Sequence, residues 1–190
     1  MIRTQHVIVD RDGVLNEEAP GHIVRSPDDW VWIEGALDAL AMLHRHAIRV
    51  SVVTNQSAIG RGEVSASAVE ALHAHVRAAA ARAGGDLAAY FVCPHTASEG
   101  CLCRKPQPLL VRAAIEAASV PAEHTIFVGD MDRDLEAGLA AGVRVALVRS
   151  GKGRETEARL SAMVRNGPSF TGVFDDLRAV AARLSENAAR

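Results

Sequence analysis

The sequence has few aromatic residues and no long apolar run. Phe, Trp and Tyr make up 4% of its 190 residues, and no apolar segment approaches the roughly 20 residues that a membrane-spanning helix needs. The N-terminus reaches a charged stretch at residue 10 without the apolar core of a secretory signal, which predicts a cytoplasmic protein. An excess of one charge is also lacking, since the formal net charge is −2. The composition therefore excludes a general attraction to nucleic acid or to anionic membranes.

Cysteine is scarce as well, and all three cysteines lie between residues 93 and 103. Clustered cysteines in a reducing compartment favour metal binding, and an odd number cannot pair completely in disulfides. The pattern Cys93-x-His95 followed by Cys101-x-Cys103 offers four ligands for a tetrahedral zinc ion. Four filled positions leave none for a substrate, so a zinc ion bound there would be structural. A strained redox pair at Cys101 and Cys103, or free structural thiols, are the alternatives.

Short apolar, β-branched segments are abundant, and they alternate with helical patterns. Five such segments predict strands, at residues 6–10, 48–55, 88–93, 125–130 and 143–148. Apolar residues at helical spacing lie between or after them, as Leu37, Leu40 and Leu43, Val69, Leu72 and Val76, and Leu177, Val180 and Leu184. This alternation predicts an α/β fold, a three-layer Rossmann-like parallel sheet with helices on both faces, in one domain over residues 1–190. Ligands of such folds bind at the carboxyl ends of the strands, so the residues after each strand are the candidates for function.

Polar motifs follow four of the predicted strands. They are DRDG at 10–13, TNQS at 54–57, RK at 104–105 and GDMDRD at 129–134. Each alone is explained by a polar turn or a helix cap. Because the carboxyl ends of parallel strands meet at one edge of the sheet, the four motifs together predict a shared site.

The chemistry that these residue types could share is phosphoryl transfer through an aspartyl phosphate. A carboxylate can attack phosphorus, and Mg²⁺ held by oxygen ligands neutralises the charge of the phosphate. A hydroxyl and a lysine stabilise the transition state, and a further acid protonates the leaving alcohol. The candidates for these roles are Asp10, Asp12, Thr54, Lys105 and Asp130.

The motifs D-x-D-G-V, a Thr after the second strand, a Lys after the third and G-D-x-x-x-D after the fourth resemble the haloacid-dehalogenase-like phosphatases. The resemblance extends over roughly residues 6–150. It implies that Asp10 is the nucleophile and Asp12 the general acid and base. Thr54 and Lys105 are implied to hold the phosphate.

The same resemblance implies a Mg²⁺ site formed by aspartates. Its ligands would be the carboxylates of Asp10 and Asp130 and the backbone carbonyl of Asp12. Asp134 is implied as the supporting acid near the metal, with Asp132 as the competing candidate.

The cysteine loop, with DRDG, VTNQS and CRKP, resembles a narrower group, the D-glycero-D-manno-heptose-1,7-bisphosphate 7-phosphatases. These share the zinc loop with histidinol-phosphate phosphatases, whose substrate is the alternative. The resemblance implies a small phosphorylated sugar as substrate, no large cap domain, and a monomer or small homo-oligomer without nucleic-acid or membrane partners. It implies substrate contacts at Asn16, Asn55, Gln56, Arg61 and Arg104.

The chain departs from the heptose pattern at several positions. Met131 stands where the pattern has a lysine, and the zinc loop is shorter between His95 and Cys101. A zinc-stabilised binding module that has lost catalysis is therefore the alternative from another functional class.

Histidines and tryptophans outside the motifs are predicted to have no chemical role. Trp30 and Trp32 are predicted to pack beneath the site. Solvent exposure is predicted for His44, His46, His73 and His75.

Overall fold

Six parallel strands form one sheet in the computed structural model, which describes residues 3–19 and 23–188. The strands are β1 His6–Val9, β2 Arg49–Asn55, β3 Ala89–Cys93, β4 Thr125–Gly129, β5 Arg144–Val148 and β6 Phe170–Phe174. Their order is β3-β2-β1-β4-β5-β6, so the chain builds outward from β1 and then returns to place β4 on its other side. The strand order reverses between β1 and β4, where open α/β sheets bind their ligands.

Helices cover both faces of the sheet, as the fold prediction requires. They are α1 Ala36–Arg45, α2 Ser57–Gly60, α3 Ala66–Arg82, α4 Leu109–Ala118, α5 Asp132–Ala141, α6 Gly153–Arg159, α7 Ala162–Arg165 and α8 Leu177–Ala188. Short 3₁₀ turns lie at Pro27–Asp29, Ala97–Glu99 and Ala122–His124. The apolar faces of α1, α3 and α8 pack on one side of the sheet, and those of α4 and α5 pack on the other.

The central strand β1 contains a continuous apolar run at residues 7–9, because both faces of the sheet are covered there. Val7 and Val9 belong to the core beneath α1, α3 and α8, whereas Ile8 belongs to the core beneath α4 and α5. Successive side chains of a strand point to opposite faces, and both faces of this sheet are covered. All three residues are fully buried.

Local signals fix where several helices begin and end. The Ser65 hydroxyl accepts a hydrogen bond from the backbone N–H of Ala68 at 3.1 Å, which caps the first turn of α3. Helix α5 ends at Gly142, whose φ of +82° is the left-handed conformation that glycine adopts easily.

The five predicted strands are confirmed to within one residue at each end, but β6 was not predicted. This strand pairs with β5 at the edge of the sheet, and the register shifts between Val145 and Ala146. Gly172 interrupts its apolar pattern with a φ of +137°, and none of its residues is buried. Burial and alternation are the signals that reveal a strand, and a short edge strand with a central glycine has little of either.

The predicted fold class is confirmed, including the short connections above the sheet. Across residues 3–19 and 23–188 no separate cap domain is present, and the described segments 10–19, 23–35, 94–108 and 149–152 lie between the carboxyl ends of strands and the helices that follow. No helix in those ranges combines the length and apolarity needed to cross a membrane.

Candidate active site

Three buried carboxylates meet where the strand order reverses. Asp10 leaves β1, and its backbone N–H donates to the carbonyl of Val128 on β4 at 3.0 Å. Asp130 leaves β4 directly, and Asp134 lies in the first turn of α5. Carboxylate oxygens of the three aspartates lie within 4.8 Å of one another. The structure therefore brings Asp10 together with two aspartates that lie 120 and 124 positions later in the sequence.

Lys105 is the cation of this cluster. Its Nζ lies 2.8 Å from Asp10 Oδ1 and 2.7 Å from Asp134 Oδ1, and it also donates to the carbonyl of Val53 at 2.9 Å. The side chain is completely buried. Burial lowers the pKa of Lys105, but the two carboxylates raise it by more, so the amine stays protonated.

One lysine does not balance three buried carboxylates. Burial and the neighbouring Asp134 raise the pKa of Asp10 to about 6 and that of Asp130 to about 7, although Lys105 opposes both shifts. Asp130 Oδ1 is buried and has no hydrogen-bond partner among the described residues. A hard divalent cation would be a partner for this oxygen and would compensate the charge, and carboxylate oxygens are the ligands that Mg²⁺ prefers. The residues present therefore fit a magnesium ion.

Two glycines allow the carboxylates to approach the backbone. A Cβ at Gly13, which has a φ of +84°, would collide with the carboxylate of Asp130. A Cβ at Gly129 would collide with the side chain of Asp134. Larger residues at either position would displace the acids, so the cluster depends on both glycines.

Asp12 lies beside this cluster, and its side chain is 28% exposed. Oδ1 accepts hydrogen bonds at 2.9 Å from Arg11 and from Asn16, and Oδ2 accepts one from Gln56 at 2.8 Å. Burial opposes ionisation of Asp12, but the guanidinium of Arg11 and these hydrogen bonds outweigh burial and lower its pKa. The two aspartates of DRDG thus have different environments, since the pKa of Asp10 is raised and that of Asp12 is lowered.

A polar cavity of about 160 Å³ opens above Asp12. Three basic side chains line it together with the acidic side chains of Asp12 and Glu18, and the three cations suit an anionic ligand; they belong to Arg104, Arg133 and Lys152. The ammonium of Lys152 pairs with Glu18 at 2.8 Å, and its backbone N–H donates to Asp130 Oδ2 at 2.8 Å. The loop that carries Lys152 therefore contacts both the cavity and the acidic cluster.

The cysteine loop brings its four predicted ligands together. The three Sγ atoms lie 3.3 to 3.6 Å from one another. His95 Nδ1 lies 3.2 Å from Cys103 Sγ and 3.7 Å from Cys93 Sγ. Sulfur ligands about 2.3 Å from a tetrahedral zinc ion lie about 3.8 Å apart, and a nitrogen ligand sits slightly closer. The thiols are free of disulfides, so the arrangement fits one tetrahedral metal ion.

Sequence comparison identifies the family. A D-glycero-beta-D-manno-heptose-1,7-bisphosphate 7-phosphatase from Pseudomonas putida is 42% identical over 178 residues, which cover 94% of this chain and 98% of the relative. The chain belongs to this heptose-bisphosphate phosphatase family. A family model described as HAD-hydrolase-like also matches residues 102–180.

Two further relatives of the family agree in sequence and in fold. The crystal structure of D,D-heptose 1,7-bisphosphate phosphatase from B. bronchiseptica, complexed with magnesium and phosphate, superposes with a TM-score of 0.87. It is 38% identical and covers 97% of this chain and 99% of its own. A D-glycero-alpha-D-manno-heptose-1,7-bisphosphate 7-phosphatase from Mycobacterium tuberculosis is 37% identical over 155 residues, 76% of this chain and 81% of the relative.

The residues predicted to hold phosphate lie at the same edge of the sheet. Thr54 is buried, and its hydroxyl accepts a hydrogen bond from Gln56 at 2.8 Å. The side chain of Asn55 accepts from the N–H of Lys105 at 3.0 Å and donates to its carbonyl at 3.2 Å. Asn55 therefore positions the backbone of the lysine, and it also lines the polar cavity with Arg104.

The other predicted substrate contacts have different surroundings. Asn16 is fully buried and Gln56 nearly so, and both donate to Asp12, so they hold this carboxylate. Arg61 is exposed, pairs with Glu63 at 2.8 Å and is not among the residues that line the polar cavity. Direct contact of these three residues with substrate remains a prediction.

The two candidates for the supporting acid are distinguished by burial. Asp134 belongs to the buried cluster, and its Oδ2 also accepts from the N–H of Met131 at 3.0 Å. Asp132 is partly exposed and pairs with Arg159 at 2.7 Å. The geometry therefore favours Asp134. Because Met131 contributes its backbone N–H here, the absence of a lysine side chain leaves this contact intact.

The prediction of solvent exposure is wrong for His73. His44 and His75 are exposed, but His73 is 5% exposed and its ring stacks on Tyr90 with centroids 4.1 Å apart. The burial of His73 is possible because Arg11 provides its ring with a polar partner. The sequence patterns had indicated no role for Arg11. A positive charge between two acids was the available signal for a buried counterion at Arg11.

The two tryptophans pack as expected. Trp30 and Trp32 are partly buried against the core and contact each other edge to face, with ring centroids 5.2 Å apart. The guanidinium of Arg11 lies 5.9 Å from the ring centroid of Trp30.

Proposed function

We propose that this protein is a Mg²⁺-dependent phosphatase that removes the 7-phosphate of D-glycero-D-manno-heptose 1,7-bisphosphate through an aspartyl phosphate. One observation carries the proposal: Asp10 is buried against Lys105 in an acidic cluster, and Asp12, two residues later, lines a polar cavity that also holds three basic side chains. The names of the P. putida and B. bronchiseptica relatives support this substrate.

Asp10 is the proposed nucleophile. Its Oδ1 accepts from the N–H of Arg11 at 2.7 Å and from Lys105 at 2.8 Å, and these bonds orient Oδ2 for attack. A bond forms between Oδ2 and phosphorus, while the bond between phosphorus and the sugar oxygen breaks. Hydrolysis of the aspartyl phosphate then releases inorganic phosphate and restores Asp10.

Asp12 is the proposed general acid and base. It gives a proton to the leaving sugar oxygen and then takes one from the water that attacks the aspartyl phosphate. Its lowered pKa favours the second role, and a bound phosphate dianion would raise the pKa again because like charges oppose ionisation. The side chain is partly exposed, so it can reach a ligand in the cavity.

The proposed magnesium ligands are Asp10, Asp130 and the backbone carbonyl of Asp12, with Asp134 as the supporting acid. The buried, unpartnered Oδ1 of Asp130 supports this assignment. A magnesium ion bound there supplies charge neutralisation for the phosphoryl group.

Phosphate and sugar binding are proposed for the polar residues around the cavity. Thr54 and Lys105 would hold oxygens of the transferring phosphoryl group. The basic lining of the cavity would attract the rest of the bisphosphate. Asn55 and Arg104 line that cavity, and contacts from Asn16, Gln56 and Arg61 are part of the same proposal.

We also propose that the loop at 93–103 binds a structural zinc ion. The spacing of its four ligand atoms supports this, and the four would fill the tetrahedron. The loop lies next to Arg104, whose guanidinium donates to the carbonyl of His95 at 3.2 Å. Zinc would therefore fix the segment that presents Arg104 and Lys105 to the site.

The remaining assignments are proposals of the same kind. The chain would act as one domain over residues 1–190, as a monomer or small homo-oligomer in the cytoplasm, without nucleic-acid or membrane partners. The small net charge of −2 supports the absence of polyanionic partners.

A phosphate-release assay with added Mg²⁺ tests the proposal. The substrates are the β and α anomers of D-glycero-D-manno-heptose 1,7-bisphosphate, fructose 1,6-bisphosphate and histidinol phosphate. We expect the highest kcat/KM for the β anomer, since the relative at 42% identity carries that name. Asp10→Asn is the control and should release no phosphate while remaining folded.

Two outcomes would contradict the proposal. Preference for histidinol phosphate would reassign the substrate. A chain that binds zinc and releases no phosphate from any of the four compounds would support the non-catalytic binding module.

A further inference from the structure

Arg11 is a fully buried cation between the two aspartates of DRDG. Its Nε and one terminal nitrogen donate to Asp12 Oδ1, at 3.2 and 2.9 Å. The other terminal nitrogen faces the imidazole of His73, with Nε2 at 3.4 Å. The guanidinium thus donates hydrogen bonds to one residue of the active site and to one residue of helix α3.

His73 meets Arg11 in a fixed orientation. Arginine can only donate, so Nε2 of His73 is the acceptor and the ring proton lies on Nδ1. The ring stacks on Tyr90 at an interplanar angle of 12°, and Tyr90 belongs to β3. Burial and the guanidinium of Arg11 together lower the pKa of His73 to about 3, so the imidazole is neutral.

We propose that Arg11 and His73 are positioning residues for Asp12. His73 fixes the guanidinium of Arg11, and the guanidinium fixes the carboxylate of Asp12 in the orientation that serves the leaving sugar oxygen. The inference rests on the proposed function, because it requires Asp12 to act on that oxygen.

The arrangement of hydrogen bonds argues for orientation. The Arg11 donors and the amide of Asn16 all bind Asp12 Oδ1, whereas Gln56 is the bonded partner of Oδ2. Proton transfer contributes about 10²- to 10⁴-fold when the groups are aligned, and a small misplacement loses much of this. An unrestrained Arg11 would let the Asp12 carboxylate rotate away.

His73 can be replaced by other side chains without blocking the polar cavity above Asp12, because it borders a different cavity. It borders a cavity of about 520 Å³ between α3 and β3, which Tyr90, Val69 and Glu70 also line. His73→Phe keeps the stacked ring and removes the acceptor. His73→Gln keeps an acceptor for Arg11 and removes the ring. Glu70→Gln, one turn earlier on α3, is a matched control that has no contact with Arg11 among those the structure shows.

The experiment compares two leaving groups by kcat/KM, which reports formation of the aspartyl phosphate. A sugar alkoxide needs protonation as it leaves, whereas the p-nitrophenolate of p-nitrophenyl phosphate does not. With His73→Phe we expect kcat/KM for the sugar bisphosphate to fall about tenfold and kcat/KM for the aryl phosphate to change less than about twofold. His73→Gln and Glu70→Gln should behave like the wild type.

Several results would overturn the inference. An equal loss with both substrates would show a structural role only, and no loss with either would show no role. If His73→Phe does not fold, His73→Asn replaces it, since its amide is too short to reach Arg11. A wild-type chain without sugar-phosphate turnover would contradict the proposed function, whereas turnover with unchanged His73 variants contradicts only the positioning.

Discussion

The acidic cluster and the cysteine loop are both suited to a metal ion, but they are built in opposite ways. The loop takes all four candidate ligands from residues 93–103, and the spacing of their atoms fits a tetrahedron. The acidic cluster takes Asp10 from the end of β1 and Asp130 and Asp134 from β4 and α5, and the neighbouring Asp12 lines a polar cavity. A closed set of ligands suits a structural role, whereas an open set leaves room for phosphate.

Lys105 joins the two regions. It lies two residues after the last cysteine, and its ammonium contacts Asp10 and Asp134. We therefore expect order in the loop to act on the acidic cluster through one short segment. We also expect substitutions in the acidic cluster to abolish phosphate release directly. Substitutions in the loop should lower the rate of phosphate release indirectly, through Lys105.

The largest effect is expected for Asp130→Asn. Removal of this carboxylate weakens the Mg²⁺ site, and we expect kcat/KM to fall by about 10³-fold or more. Zinc content, measured by elemental analysis, should not change. Asp132→Asn is the matched control, because Asp132 pairs with Arg159 outside the cluster, and it should retain activity within about twofold. Equal losses in both variants would contradict the distinction between the two acids.

Lys105→Met tests the segment that joins the regions. The substitution leaves the buried carboxylates of Asp10 and Asp134 without their cation, so the free energy of unfolding should fall by about 3–5 kcal/mol. Urea denaturation without added Mg²⁺ measures the change. Lys152→Met removes the partly exposed pair with Glu18 and should cost about 1 kcal/mol or less. Similar costs for the two variants would show that burial of the lysine is unimportant.

Cys103→Ser tests whether the loop acts indirectly. Loss of one ligand should release zinc and lower kcat/KM by about 10- to 100-fold, because Arg104 and Lys105 lose their rigid anchor. Elemental analysis and phosphate release are measured on the same sample. Leu102→Ser is the control, since Leu102 is 74% exposed in the same loop and is not a ligand. Full activity in the zinc-free variant would refute the link between the regions.

The smallest effect concerns the pH dependence of Mg²⁺ binding. Burial raises the pKa of Asp130 to about 7 without a cation, so Mg²⁺ must displace a proton below this pH. Apparent affinity for Mg²⁺ should fall by up to about tenfold for each pH unit below 7 and should be constant above pH 8. Calorimetric titrations at pH 6, 7 and 8 measure it.

The raised pKa of Asp130 also predicts how the stability of the metal-free protein depends on pH. A carboxyl group whose pKa is higher in the folded state binds its proton more tightly there, so stability falls as pH rises from about 4 to 7. The gain in melting temperature on adding Mg²⁺ should therefore be larger at pH 8 than at pH 6. Asp130→Asn should abolish the difference, and persistence of the difference in that variant would assign it to another group.

Sequence patterns predicted the elements that are buried on both sides. Strands β1 and β4 are buried at every position and mostly apolar, because helices cover both faces of the sheet. The pattern could not predict β6, whose residues are only partly buried. It also misjudged His73, because a lone polar residue on a helix is ordinarily exposed and only the buried guanidinium of Arg11 makes this position favourable.

By itself the sequence determined the layered α/β fold, and it indicated the cysteine loop as a candidate metal site and DRDG as the motif of the proposed nucleophile. Only the tertiary structure decided that Asp134 and not Asp132 joins the acidic cluster, and that Asn16 and Gln56 hold Asp12. The reason is distance along the chain. Ligands within 11 residues meet through local loop geometry, whereas side chains at different strand ends meet only after the sheet has fixed the order of its strands.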